Sequence, residues 1–288
     1  MHTITQLGIG LALAVQKISC NAVARTQTVE LVTVHDTTLF EGTNLSNGAG
    51  SHMFCGVTGD DLSRRALIRF DLGAVPDGSK IVSARVRLFM SKTSSGAKPV
   101  SLHRACESWG EGATNTDLDN GGGQGAPAES GDATWFVRNF PLEPWAHAGG
   151  DFVTAPSATI AVTGNAFYEW GSNAAIVQDV QSWINAREMN NGWFIIGDES
   201  SPYTAKRFDT HEYSEPTRRP RLFIEFEMSP ACTADLNEDG SVDGSDLAMV
   251  LGAWGTAGAR ADLTSDGVVD GADIAVVLGA WGLCAIAA

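Results

Sequence analysis

Two copies of one acidic, glycine-containing phrase near the C-terminus have the composition of metal-binding loops. The first begins at Asp235 and the second at Asp262, and each has oxygen-bearing residues at positions 1, 3, 5, 9 and 12 with glycine at position 6. This is the pattern of a calcium loop, because a hard cation takes about six to eight oxygen ligands and a coiled loop turns alternate residues toward one point. We therefore predict two calcium ions within residues 235–273.

The predicted ligands are five side chains of each loop and the backbone carbonyl at position 7. In the first loop they are Asp235, Asn237, Asp239, Ser241 (carbonyl), Asp243 and Asp246, and in the second Asp262, Thr264, Asp266, Val268 (carbonyl), Asp270 and Asp273. Gly240 and Gly267 fall where the loop bends sharply, so we expect positive φ there. Because a hydroxyl is a poorer ligand than a carboxylate or amide oxygen, Thr264 predicts that the second site is the weaker one.

Apolar residues follow each loop at helical spacing. They are Leu247, Val250, Leu251 and Trp254 in the first copy and Ile274, Val277, Leu278 and Trp281 in the second. The spacing predicts one helix after each loop, and a glycine is expected to end it, at Gly255 or Gly282.

A calcium loop followed by a single helix, twice in tandem, resembles a type I dockerin. The resemblance covers about Cys232 to Cys284. It implies a small calcium-folded module that docks onto a cohesin-like protein partner through loop positions 10 and 11. Those positions hold small residues in this chain, namely Gly244, Ser245, Gly271 and Ala272.

The N-terminal residues 1–24 have the features of a secretory signal peptide. An apolar run from Leu7 to Val15 precedes an A-x-A cleavage pattern that ends at Ala24. The run is too short to span a membrane, and no other stretch approaches the necessary length. Cys20 leaves a lipoprotein anchor as an alternative, although Lys17 places a charge where such a signal requires an aliphatic residue. We predict a secreted protein that is extracellular or on the cell surface.

Four cysteines remain after the signal peptide, and an even number in an oxidising compartment favours disulfide bonds. The pairing that keeps each bridge within one predicted domain joins Cys232 with Cys284 and Cys55 with Cys106. The other two connectivities stay open at this point.

The formal net charge of −15 is concentrated near the C-terminus. Residues 230–288 hold nine acidic side chains against one basic side chain, so the calcium loops account for about half of the net charge. The acidic balance of the remainder argues against binding to nucleic acid or to an anionic membrane, since either would require a basic face.

Residues 25–229 have the pattern of a mainly β domain, distinct from the module at 230–288. Apolar and polar residues alternate in eight runs, which are Thr28–His35, Arg65–Phe70, Lys80–Met90, Val100–Ala105, Ser157–Val162, Gly192–Gly197, Ala205–Asp209 and Arg221–Phe226. We predict a jelly-roll-like β-sandwich, with one helix that begins after Asn173 and ends near Asn190. In the longest run we expect Val82 to lie on the buried face, and we expect residues 111–132 to form a surface loop, either mobile or ordered by a ligand or ion.

A succession of motifs across this domain is similar to secreted DNRLRE-type domains, which are related to carbohydrate-binding module family 96. The motifs are R-A-L-I-R-F-D-L (65–72), V-S-L-H-R-A-C-E-S-W-G-E-G (100–112), G-D-A-T-W (131–135), V-Q-S-W-I-N (180–185), G-W-F-I-I-G-D-E (192–199), T-A-K-R-F (204–208) and R-P-R-L-F-I-E-F (219–226). The resemblance implies a jelly-roll-like sandwich on a secreted, polysaccharide-related protein. Some relatives bind acidic polysaccharide.

Sugar binding requires an aromatic ring that stacks on a pyranose face, and arginine suits the carboxylates of an acidic polymer. The candidate ligand-binding residues are Arg69, Arg85, Arg87, Trp135 and Trp145. Although Glu107, Glu111 and His211 could take part in catalysis, no catalytic motif accompanies them, so we predict a non-catalytic polysaccharide-binding or adhesive protein. The alternatives are a structural surface or matrix component without sugar binding and, third, a polysaccharide lyase or hydrolase.

Overall fold

The computed structural model describes residues 26–116, 123–228, 233–258 and 260–283. The predicted signal peptide and the predicted Cys232–Cys284 bridge lie outside the described residues. The chain is mainly β with a small helical region at its C-terminal end, so the predicted fold class is confirmed. Among the described helices, none is both long and apolar enough to cross a membrane.

In the described part of the chain, fourteen strands precede the C-terminal region. The first seven are β1 (Thr26–Phe40), β2 (Leu45–Ser46), β3 (His52–Val57), β4 (Ser63–Phe70), β5 (Lys80–Thr93), β6 (Lys98–Arg104) and β7 (Ala126–Pro127). The next seven are β8 (Val137–Asn139), β9 (Glu143–Pro144), β10 (Ala158–Val162), β11 (Ala166–Trp170), β12 (Trp193–Ile196), β13 (Lys206–Asp209) and β14 (Arg221–Glu227). All eight strands predicted from alternation are present, whereas β3, β11 and four two- or three-residue strands were not predicted.

Ten of these strands form two antiparallel layers that share strands at both edges. One layer has the order β1-β14-β5-β13-β3 with β11 on the other edge of β5, and the second has the order β1-β4-β12-β6-β10. The first part of β1 pairs with β14 and the later part with β4, with a register shift between Thr33 and His35. At the opposite edge β3 passes from β13 to β4 at Gly56, whose φ of 95° is available to glycine. The result is a sandwich closed like a barrel.

The main core lies between the two layers, and helix α1 (Ala174–Asn185) contributes Ile176, Val180 and Trp183 to it. The predicted cap is confirmed, because the side chain of Asn173 accepts hydrogen bonds from the backbone N–H groups of Ala175 and Ile176. The predicted end near Asn190 is wrong. The α-helix stops at Asn185, and a short 3₁₀ turn follows it.

A second core covers the outer face of the β4–β12 layer. The segment that connects β6 to β10 lies over Leu67 and Phe194 and buries Trp109, Trp135 and Trp145 against them. Because β4 and β12 are covered on both faces, their apolar runs are nearly continuous rather than alternating.

A bulge in β5 changes which residues face the core. The register against β14 shifts between the pairs Glu225–Ser83 and Phe226–Ile81, so Ile81 is buried and Val82 is 42 % exposed. The prediction that Val82 shares the buried face is therefore wrong. The prediction holds for the other members of that face, Ala84, Val86, Leu88 and Met90.

The predicted disulfide bond between Cys55 and Cys106 is also wrong, since both are free cysteines in the part of the chain that the structure describes. Cys55 lies on β3 and faces the core between the layers, whereas Cys106 is exposed beyond the end of β6. Burial raises the pKa of the Cys55 thiol, which keeps it neutral.

The described parts of residues 111–132 are not a simple surface loop. Thr114, Thr116 and Asp132 are buried. The hydroxyl of Thr114 donates a hydrogen bond to Asp132, and Asn47 Oδ1 accepts from both the backbone N–H and the hydroxyl of Thr116. The first bond ties the two ends of the segment to each other, and the bonds to Asn47 anchor its first part to the sandwich.

The C-terminal region contains α2 (Gly244–Gly252), α3 (Gly271–Gly279) and a two-stranded pairing of β15 (Ser241–Val242) with β16 (Gly282–Leu283). Each helix ends three residues before the predicted glycine. The buried apolar residues described in this region form a small third core of alanine, valine and leucine, namely Ala234, Leu236, Val242, Val250, Ala261, Val269 and Val277.

Candidate functional site

The two predicted calcium loops have closely matching hydrogen bonds. In the first, the carboxylate of Asp235 accepts from the backbone N–H groups of Asp239 and Gly240 at 3.1 and 2.9 Å. The corresponding bonds of the second loop, from Asp266 and Gly267 to Asp262, measure 3.2 and 2.9 Å. Each loop is thus closed around its first carboxylate.

The bend of each loop lies where the sequence predicts it. Gly240 and Gly267 have φ of 88° and 91°, and Glu238 and Ser265 also have positive φ. A side chain at either glycine position would be strained there, because this backbone region disfavours a Cβ atom.

The last two predicted ligands of each loop also begin the following helix. Asp243 caps α2 and accepts from the N–H of Ser245, while Asp246 accepts from the N–H of Asp243. Asp270 and Asp273 form the same capping box at α3. Burial alone would raise the pKa of Asp273, but hydrogen bonds from Asp270 and Thr264 outweigh burial and hold this pKa below its usual value. The aspartates at loop positions 9 and 12 are therefore both predicted calcium ligands and caps of the following helix.

The two copies also pair with each other reciprocally. Val242 of the first loop pairs with Gly282 after the second helix. Gly255 after the first helix donates its N–H to the carbonyl of Val269 in the second loop at 2.8 Å. Both valines are fully buried, so neither copy completes its core without the other.

This arrangement agrees with the comparison to known families. Residues 233–279 match the Dockerin type I domain. The match covers a small part of the chain, and no curated protein matches the chain. Type I dockerin domains bind calcium and dock onto cohesins, and the oxygen donors of both loops in the dockerin module fit calcium chemistry.

The dockerin module exposes an apolar pair after each loop. Leu251 and Trp254 are 53 % and 52 % exposed, and their counterparts Leu278 and Trp281 are 55 % and 52 % exposed. Only Val250 and Val277 of the predicted apolar stripes are fully buried, and Leu247 and Ile274 pack partly against the core. The apolar residues predicted for one helix face therefore do not all lie in the core. The helices end before the tryptophans, and the small core does not include the tryptophan side chains.

On the sandwich, Arg85 and Arg87 lie on the outer face of β5 among three phenylalanines. The guanidinium carbon of Arg85 is 4.7 Å from the ring centre of Phe223, and that of Arg87 is 4.8 Å from Phe223 and 5.2 Å from Phe167. Phe167, which is 47 % exposed, also meets Phe89 edge to face. We call these five residues the arginine–phenylalanine face. Sequence reasoning selected its two arginines but missed its aromatic rings, although Phe223 stands out as an outward aromatic in the alternation of β14.

The two predicted stacking tryptophans do not belong to that face. Trp135 and Trp145 are 8 % and 5 % exposed, and the guanidinium of Arg65 covers the ring of Trp135 at 4.9 Å. Their proposed role in stacking on sugar rings is therefore wrong. Trp145 does line an open pocket of about 840 Å³ together with Arg65 and His147.

Arg69 lies on β4, apart from Arg85 and Arg87, where its guanidinium packs over Trp109 at 5.7 Å and approaches His35 at 3.0 Å. Trp109 is buried. Burial, followed by the charge of Arg69, lowers the pKa of His35 to about 4.

Beside Arg69, the structure assembles a cluster of Asp36, Glu111 and His211, whose ligand atoms all lie within 4.8 Å of one another. Burial raises the pKa of Glu111 to about 8 and also raises that of Asp36. Burial alone would lower the pKa of His211, but its contacts with Asp36 and Glu212 raise it to about 10. The sequence did not indicate Asp36 as a site residue, because its neighbours in the chain form no recognisable motif.

Proposed function

We propose that this chain is a secreted, calcium-dependent docking protein, whose dockerin module attaches the β-sandwich to a cohesin-like partner. The observation that carries the proposal is the repeated pair of exposed apolar residues, Leu251 with Trp254 and Leu278 with Trp281. Two half-exposed tryptophans add little to the core of the module, and exposed aromatics at equivalent positions are typical of a protein-binding surface. The module holds two calcium ions, one in each loop.

The residues at loop positions 10 and 11 are small in both copies, so the exposed pairs supply most of the apolar contact area. Gly244 and Gly271 have open space where a Cβ atom would be. A partner can therefore approach the helix N-termini closely and reach the tryptophans.

Binding to immobilised type I cohesin domains tests this proposal. The full chain is expected to bind at least one of a panel of purified cohesins in calcium, and to be released by chelator. Trp254→Ala combined with Trp281→Ala should abolish binding, while each single substitution should leave part of it, because the copies are equivalent. Leu142→Ala, at a residue of the sandwich that is 84 % exposed, is the matched control. Retained binding by the double variant would contradict the proposal.

A second function is favoured by the arginine–phenylalanine face, namely non-catalytic binding of an acidic polysaccharide. The half-exposed ring of Phe167 offers flat apolar surface next to the cationic groups of Arg85 and Arg87, which is the combination that a uronate polymer requires. Glu169, 3.7 Å from Arg85, is the nearest carboxylate, and a polymer carboxylate would compete with it for the guanidinium.

Affinity electrophoresis with polygalacturonate and alginate, with neutral dextran as the reference, tests this second function. The full chain should be retarded by the uronate polymers only. Arg85→Gln with Arg87→Gln should remove the retardation, whereas Arg138→Gln with Arg260→Gln, which changes the charge equally at other sites, should preserve it. Unretarded parent protein would favour the structural alternative, and release of unsaturated or reducing ends would favour a lyase or hydrolase.

A further inference from the structure

The cluster of Asp36, Glu111 and His211 brings together three distant parts of the sandwich. Asp36 lies on β1, Glu111 in the segment after β6, and His211 just after β13. The backbone N–H of Asp36 donates to Glu111 Oε1 at 2.7 Å, and the backbone N–H of His211 donates to Asp36 Oδ2 at 2.9 Å. The side chains of Glu111 and Asp36 are therefore held in place by backbone N–H groups, and the imidazole of His211 is held by the carboxylates of Asp36 and Glu212.

One oxygen of this cluster is buried without a partner. Asp36 is fully buried, and its Oδ1 atom has no hydrogen-bond partner among the residues that the structure describes. Its other oxygen, Oδ2, is near the hydroxyl of Thr33 and Nδ1 of His211. A buried carboxylate with an oxygen that lacks a donor is costly, and a cation bound to its other oxygen would reduce that cost by neutralising the charge.

The geometry points to a divalent transition metal of the zinc type as the ligand of Asp36, Glu111 and His211. Nδ1 of His211 is 3.1 Å from Asp36 Oδ2 and 3.6 Å from Glu111 Oε1. Ligands on a tetrahedral zinc ion with bonds of about 2.0–2.1 Å lie about 3.3 Å apart, so these two distances fit two edges of such a site, and the third pair of ligand atoms lies within 4.8 Å. The fourth corner is available to water, because His211 and Glu111 are partly accessible.

The imidazole is also oriented as a metal ligand requires. Nε2 of His211 is 2.9 Å from the carboxylate of Glu212, which holds a proton on that nitrogen, so Nδ1 is the atom that would release its proton and take the metal. A nitrogen donor with only two carboxylates suits zinc better than calcium, since calcium takes about six to eight oxygens. This site is separate in residues and in chemistry from the calcium loops of the dockerin module.

Metal titration of the full chain tests the inference. Protein stripped of metal is placed in excess calcium chloride to saturate the dockerin loops, and zinc chloride is then added in a calorimeter. We expect one zinc ion per chain, and we expect cobalt chloride in its place to produce the visible absorption of a tetrahedral site. Zinc should also raise the melting temperature of the sandwich.

Three variants locate the ion. His211→Asn should abolish zinc uptake, and Glu212→Gln should weaken it by about 10–100-fold, because this carboxylate only orients the imidazole. His147→Ala is the matched control, since His147 also contacts a carboxylate, that of Asp151 at 2.7 Å, but belongs to no such cluster among the described residues. It should bind zinc as the parent does.

Three results would overturn the inference. The first is folded parent protein that takes up no zinc in excess calcium, which would leave the cluster as a buried ion-pair network. The second is displacement of zinc by millimolar calcium, which would indicate an oxygen-type site. The third is equal zinc uptake by the parent and by His211→Asn, provided that the circular dichroism spectrum of the variant shows it to be folded.

Discussion

The core between the two layers of the sandwich and the core of the dockerin module differ in what fills them. The first contains Trp170, Trp183 and Trp193 with many phenylalanine, leucine and isoleucine side chains. In the second, the buried members among the described residues are seven alanine, valine and leucine residues, and the module's two tryptophans lie half exposed outside it. Burial of large apolar side chains can stabilise the sandwich by itself, whereas a core this small requires help from bound metal or a disulfide bond.

The two regions also differ in the surroundings of their buried carboxylates. Asp246 and Asp273 are fully buried, and further acids surround each loop. Without a cation these charges repel one another, so we expect folding to be coupled to calcium binding. In the sandwich, the buried Asp179 has a cationic side chain beside it, Arg104 at 3.7 Å, and also accepts a hydrogen bond from Trp193 Nε1 at 2.8 Å.

The largest expected effect is the loss of the module's fold when calcium is removed. Excess chelator, under reducing conditions that open the predicted Cys232–Cys284 bridge, should unfold residues 233–283 and leave the sandwich folded. Hydrogen exchange followed by mass spectrometry distinguishes the two regions. Slow exchange throughout α2 and α3 in chelator would refute the coupling of folding to calcium.

The next largest effect is expected from Trp193→Ala in the sandwich. Trp193 is fully buried and packs edge to face on Trp183 at 4.5 Å. Its removal should lower the free energy of unfolding of the sandwich by about 3–5 kcal/mol in urea denaturation. Calcium affinity should not change, and Tyr203→Phe, at a residue that is 63 % exposed, should have little effect on stability. An altered calcium affinity would mean that the two regions are energetically linked.

A smaller effect is expected from the glycine at the bend of the first loop. Gly240 has φ of 88° and open space around its missing Cβ, so Gly240→Ala should cost about 1–2 kcal/mol through backbone strain alone. Gly244→Ala is the matched control, because Gly244 lies in α2 and also has open space. It should be neutral or stabilise the helix slightly. Thermal unfolding in saturating calcium measures both, and equal effects would contradict the argument from φ.

The smallest effect concerns the difference between the two loops. Thr264→Asp should raise the calcium affinity of the second loop toward that of the first, because a carboxylate replaces a hydroxyl at position 3. Thr256→Asp, outside both loops, controls for added negative charge. Calcium titration followed by calorimetry should show that the affinities of the two loops are more similar in Thr264→Asp than in the parent. Unchanged affinities would mean that position 3 does not set the difference between the loops.

The features that could be predicted from the sequence are those set by neighbours along the chain. The eight alternating strands, the Asn173 cap and the bend at Gly240 depend on local periodicity and backbone preference. Predictions failed where a distant segment decides burial. Trp135 and Trp145 are buried because the segment between β6 and β10 packs on the β4–β12 layer. The bulge at Val82 depends on how β5 pairs with β14.

By itself, the sequence determined the dockerin module, because loop ligands, caps and helices repeat within a few residues of one another. Only the tertiary structure decided the rest: the arginine–phenylalanine face on three strands and the cluster of Asp36, Glu111 and His211. Asp36 and His211 are 175 positions apart and meet because β1 and the turn after β13 lie side by side in the sandwich. Local patterns encode dihedral angles and periodicity, but contacts between distant residues exist only once the sheets are paired.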